Sequence, residues 1–136
     1  MDASIVPGLD TPDMSTSVEK IGLGLLGRAG SLSAAALITA ACKRLATRGI
    51  HLCGYSGLML PVLEDKGLAQ AAREGRLTVQ KLLMYSSVCG TGLDTVPVPG
   101  RASDAGESER IQREIAAVML DTWSLAYRLS KPLAVR

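Results

Sequence analysis

The chain has 136 residues, 47% of them hydrophobic, with no Phe and one Trp. That is room for one domain with an aliphatic core. The 15 basic against 13 acidic side chains, net charge +2, exclude the clustered basic face of a nucleic-acid binder.

Ala3-Ser4-Ile5-Val6 is a strand candidate ended by Pro7-Gly8, and Leu9 to Met14 reads as loop. Thr16-Ser17-Val18-Glu19 matches a capping box before a glycine-rich helix with Val18, Ile21 and Leu25 on one side. Gly30-Ser31 opens a stronger helix, Leu32 to Arg48, with Leu32, Ala35, Ile38, Cys42 and Leu45 as its apolar stripe. Its apolar stretch is broken by Ser33 and Thr39 and falls short of the ~20 residues that cross a bilayer. Ile50 to Cys53 alternates as a short strand would. Asp65 begins a helix through Arg73, and Thr78 caps another from Val79 to Val88 with Val79, Leu82, Leu83 and Ser86 facing in. Leu93 to Val98 reads as a strand.

The longest helix runs from Glu107 to Leu129. Ile111, Ile115, Val118, Leu125 and Leu129 keep helical spacing, widened by Met119, Trp123 and Ala126. Arg128 and Lys131 suit its C-terminal dipole. Leu133-Ala134-Val135 begins a last strand. Strands separated by helices imply a parallel sheet with right-handed crossovers.

Several motifs compete for a function. Gly22-Leu23-Gly24-Leu25-Leu26-Gly27 fits the dinucleotide pattern, but no strand precedes it, so glycine-rich helix packing is the better reading. Gly54-Tyr55-Ser56-Gly57-Leu58 approaches a nucleophile elbow, with Leu58 where the second glycine belongs. His51, Cys53, Cys89 and Cys42 lack the paired spacing of a structural zinc site, and no metal is expected. Cys42 reads as a small core residue.

Cys53 and Cys89 each sit where an element gives way to a glycine turn. Backbone N–H groups freed at such turns can hold an anion and depress a thiol pKa. Asp94, in the apolar run Leu93 to Val98, must be paired or hydrogen-bonded if buried. Glu64-Asp65 is the other acid candidate, with first-turn helix residues as its structural reading. The candidate catalytic residues are therefore Cys53, Cys89 and Asp94. The candidate substrate-binding residues are Gly54, Tyr55, Ser56, Gly57, Gly90, Thr91 and Gly92. No cofactor is named by any motif. Three cysteines, an odd number, and a start without a basic or apolar leader point to a cytoplasmic setting with free thiols.

Two long stretches carry a resemblance. Cys53-Gly54-Tyr55-Ser56-Gly57-Leu58-Met59-Leu60-Pro61-Val62-Leu63-Glu64-Asp65 and Val88-Cys89-Gly90-Thr91-Gly92-Leu93-Asp94-Thr95-Val96-Pro97-Val98-Pro99-Gly100 resemble the family known as domain of unknown function 711. Ala29 to Leu37 and Lys131 to Arg136 are similar to its pattern too. The resemblance implies the C-terminal part of a larger α/β barrel, a partial parallel-stranded barrel resembling the pyruvate formate-lyase-like glycyl radical fold. It brings no established reaction, and the segment holds no glycyl-radical motif. The family's Cys-Gly loop maps onto Cys53 or Cys89. A partial barrel leaves strand edges open, so the chain is expected to form a homo-oligomer or to pair with the missing part of the barrel.

Two functions follow. One is an enzyme-derived segment acting on a small anionic or carbonyl-bearing molecule, its site at the C-terminal ends of the strands. The other is a non-catalytic ligand-binding or subunit-association module, or a gene fragment without independent activity.

Overall fold

A computed structural model describes residues 1–4 and 12–136. The expected strand Ala3–Val6 and the loop after it lie partly outside the described residues. Among the described residues five helices are seen: α1 (Met14–Lys20), α2 (Ser31–Thr47), α3 (Lys66–Arg73), α4 (Val79–Ser86) and α5 (Ala105–Leu129). Two short strands, β1 (Gly92–Leu93) and β2 (Ala134–Val135), pair in parallel, with Gly92 opposite Ala134 and Leu93 opposite Val135.

Capping explains where the helices start. Asp13, not Thr16, caps α1: its Oδ1 accepts from the Thr16 N–H at 2.8 Å. An aspartate at the N-cap holds an otherwise unpaired N–H and suits the helix dipole. Asp65 caps α3 through Oδ1, which accepts from the Leu68 N–H at 2.8 Å, while its Oδ2 accepts from the Met14 N–H of α1 at 2.9 Å. One buried carboxylate thus closes two helix starts. Thr78 caps α4 and Asp104 caps α5.

The glycine pattern at 22–27 is not a helix. Gly22, Gly24 and Gly27 take positive φ in the turns between α1 and α2. At Gly27 a Cβ would also run into the Arg76 carbonyl, so the turn requires glycine twice over.

In α2 the buried residues are the small ones: Ser31, Ala34, Ala35, Thr39 and Cys42. Leu32 is exposed instead of buried. Small side chains let α2 lie close on the body, and the core is completed by Leu26, Leu58, Leu60, Val62, Leu68, Leu82, Tyr85 and Leu93. Residues 50–53 form no strand. They meet the chain start through two bonds, Met1 N–H₃⁺ to the His51 carbonyl at 2.9 Å and Cys53 N–H to the Met1 carbonyl at 3.0 Å.

Those two bonds have a parallel pattern, and the neighbouring runs follow the same direction. Gly57 lies against Gly90, the Thr91 hydroxyl donates to the Leu58 carbonyl at 3.0 Å, and the Leu63 N–H reaches the Thr95 hydroxyl at 3.4 Å. Ala134 N–H donates to Thr91 O at 2.8 Å and Arg136 N–H to Leu93 O at 3.2 Å. Residues 1–4, 51–63, 90–96 and 134–136 therefore lie side by side in chain order.

Candidate functional site

The parallel direction gives the sheet region two ends, and the candidate residues divide between them. Cys89, Gly90 and Thr91 lead into β1; Asp94 follows it. A strand advances ~3.3 Å per residue, so Cys89 and Asp94 stand well apart along the same run.

The entry end holds the glycine turns. Gly57 and Gly90 pack backbone to backbone, with the Tyr55 carbonyl against both. Cys89 is buried, its Sγ 3.9 Å from the Thr91 hydroxyl; Cys53 is exposed. Gly54, with positive φ, and Ser56 meet Asp2, whose Oδ1 accepts from the Ser56 N–H at 3.0 Å. These bonds hold the Asp2 carboxyl below its ordinary value, the Ser4 side-chain bond being the largest cause. Tyr55 is exposed, and Gly92 takes positive φ with its α-carbon close against Ala134.

Lys131 belongs to this end as well. Its Nζ donates to the carbonyls of Ser86, at 2.6 Å, Ser87, at 3.4 Å, and Cys89. It therefore closes the C-terminal end of α4, not that of its own α5. Burial lowers its pKa, and the nearby Cys89 sulfur opposes that shift.

The exit end holds a charged cluster. Asp94 is 5% exposed, and its Oδ1 lies 2.8 Å from Arg136 Nε. Arg136 Nη2 lies 2.8 Å from Glu64 Oε1. The second Asp94 oxygen, Oδ2, is buried without a hydrogen-bond partner among the described residues. Burial raises the Asp94 pKa above the ordinary carboxylate value, although the Arg136 guanidinium pulls the other way. A buried carboxyl with a raised pKa and one free oxygen can take up or give a proton. Arg136 presents a guanidinium, which matches carboxylate and phosphate groups.

Among the described residues, no group of three or more His, Cys, Asp and Glu side chains converges as a metal site. Nor is any helix long and apolar enough to cross a membrane among them.

The match to one family extends from the first residue to the last: the model of uncharacterised ACR proteins, DUF711, covers residues 1–136. The chain belongs to this family. A UPF0210 protein of Pyrobaculum aerophilum is 37% identical over 138 residues, covering 100% of this chain and 29% of that protein. One from Pyrobaculum arsenaticum is 39% identical over 138 residues, with the same coverage. One from Lactiplantibacillus plantarum is 37% identical over 134 residues, covering 95% of this chain and 29% of its own length. The chain thus spans less than a third of the length of these DUF711 relatives. No solved structure matches it.

Sequence reasoning singled out Asp94 and the Glu64-Asp65 pair but missed Arg136 and Lys131 as site residues. The signal was present in Lys131 to Arg136, where a strand is bracketed by two cations. Their partners come from 42 to 72 residues away in the chain, which no local pattern shows.

Proposed function

We propose that this DUF711 segment is part of a larger parallel α/β barrel enzyme that performs acid–base chemistry on a small anionic or carbonyl-bearing molecule. Asp94 is the acid–base group and Arg136 the anion-binding group. The observation that carries the reading is the buried Asp94 carboxyl, with one oxygen on Arg136 Nε and the other unpartnered among the described residues, just beyond β1. In parallel α/β folds the chemistry collects at the C-terminal ends of the strands. Asp94, Arg136 and Glu64 are at that end; Cys89 precedes β1, and Cys53 lies at the entry end, where its N–H meets the Met1 carbonyl.

The roles follow from the charges. Glu64 is exposed and holds one edge of the Arg136 guanidinium. A substrate carboxylate takes that edge when Glu64 moves aside, since an exposed ion pair contributes only ~0–1 kcal/mol. The substrate carbonyl or its neighbouring carbon then faces the free Asp94 oxygen, which transfers the proton.

The test uses the full-length Pyrobaculum aerophilum relative, screened by thermal shift and turnover against small keto and hydroxy acids. Substitutions at its positions matching Asp94→Asn and Arg136→Ala should abolish turnover, the latter also weakening binding. Those matching Cys53→Ser and Cys89→Ser should keep it. Turnover that survives at the Asp94 position and vanishes at a cysteine would overturn the assignment.

A further inference from the structure

Helix α5 is apolar on two sides. Ile111 and Thr122 are buried and Val118 packs on the core. A second stripe, Ile115, Met119, Trp123 and Tyr127, repeats every four residues and is 37%, 56%, 62% and 77% exposed. Trp123 and Tyr127 stack with ring centres 5.5 Å apart, giving the stripe a rigid aromatic end. Beside it runs an apolar groove of about 330 Å³ that joins Ile115 and Met119 of α5 to Val96, Pro97 and Val135.

Among the described residues no strand pairs with the outer edge of β2, and Val135 of β2 lines the groove. Ala134 and Arg136 spend their N–H groups on β1, so Val135 between them directs its own N–H and C=O away from β1. A strand edge in that state is a template for another strand. A helix with apolar residues on two faces belongs inside a larger body. One strand followed by one amphipathic helix would cover edge, groove and stripe together, and β1 followed by α5 is one such unit. The DUF711 relatives carry more than two thirds of their length beyond the span matched here.

We propose that this surface is the seam at which a further α/β unit of the family's own polypeptide docks. Its strand lies parallel to β2 against Val135, and the aliphatic face of its helix seats in the groove over Ile115, Met119 and Trp123. Asp94 does not line this groove, whereas Arg136 does.

The experiment pairs the 136-residue chain with the Pyrobaculum aerophilum relative from which the matching span has been deleted. Light scattering after size exclusion should show a one-to-one complex. Met119→Arg and Trp123→Glu on the outer face of α5 should weaken it by about tenfold or more. Val135→Pro removes the outward N–H together with the valine side chain that lines the groove and should weaken it too, with the helical circular dichroism unchanged. Hydrogen exchange on the intact relative gives a second reading. Amides matching Ile115 to Tyr127 and Val135 should exchange more slowly there than in the isolated chain. Equal exchange in both would overturn the proposal, as would a complex indifferent to all three substitutions. A homodimer of the 136-residue chain built on the same residues, with no binding of the deleted relative, would overturn it as well.

Discussion

Gly57 and Gly90 meet backbone to backbone, each in front of an extended run, and the contact is not symmetric. A Cβ on Gly57 would come within 3.2 Å of the Gly90 α-carbon, tighter than ordinary packing. A Cβ on Gly90 would meet the Gly57 α-carbon at 3.5 Å, an ordinary contact. Neither glycine takes a positive φ, so space and not conformation decides the outcome.

Gly57→Ala should therefore cost about 1 kcal/mol, because the backbone it presses on has no free rotamer to yield. Gly90→Ala should be neutral or slightly stabilising, since alanine reduces the freedom of the unfolded chain. The double variant should be worse than the sum, as two new methyl groups compete for one gap. Urea unfolding of the four proteins checks the order. Equal losses at both positions would refute the asymmetry.

Asp65 closes α1 and α3 with its two oxygens. Removing both acceptors in Asp65→Ala should cost roughly 2–4 kcal/mol, two caps together with a buried Met14 N–H left unpaired. Asp65→Asn keeps one acceptor oxygen and should lose about half as much. A loss under ~1 kcal/mol for Asp65→Ala in chemical denaturation would mean that another group takes over one of the caps.

Asp94 should give the protein a pH slope. Its carboxyl is raised by burial, so the folded protein keeps a proton that the unfolded chain has already released. This contribution is fully present below the ordinary carboxylate value. It is lost as pH rises through the raised value, so stability falls with rising pH in that window. Asp94→Asn should lack that loss and gain on the wild type as pH rises from the ordinary carboxylate value through the raised one. Denaturation curves measured across this range decide it. Parallel pH profiles for the two proteins would show that burial is not what governs this carboxyl.

Lys131→Met should cost about 1–3 kcal/mol, because the carbonyls of Ser86, Ser87 and Cys89 lose their shared donor. The damage should be local to the end of α4. Hydrogen exchange should speed up at Cys89 and Val88, whose N–H groups close that end on Tyr85, and leave α2 unchanged.

The helices were legible because their signals are local. Asp65 and Thr78 stand one residue before α3 and α4, and capping needs only neighbours in the chain; the Asp104 cap, which starts α5 at Ala105 and not at Glu107, was missed. Glycines at 22, 24 and 27 marked a weak region, but their left-handed turns were hidden, because a glycine states permission and not choice. The α2 stripe was misjudged by picking Leu32 over Ser31 and Ala34, since close approach to the body favours the smallest side chains.

By itself, the sequence determined the family and the order of the helices, which rest on whole-length similarity and on patterns spanning a few residues. Only the tertiary structure decided which end of the parallel runs each candidate occupies. It put Cys89 before β1 and Asp94 after it, brought Arg136 between Asp94 and Glu64, and turned Lys131 onto α4. Strand direction and packing bring together charges far apart in the chain, and those distances carry no trace in local composition.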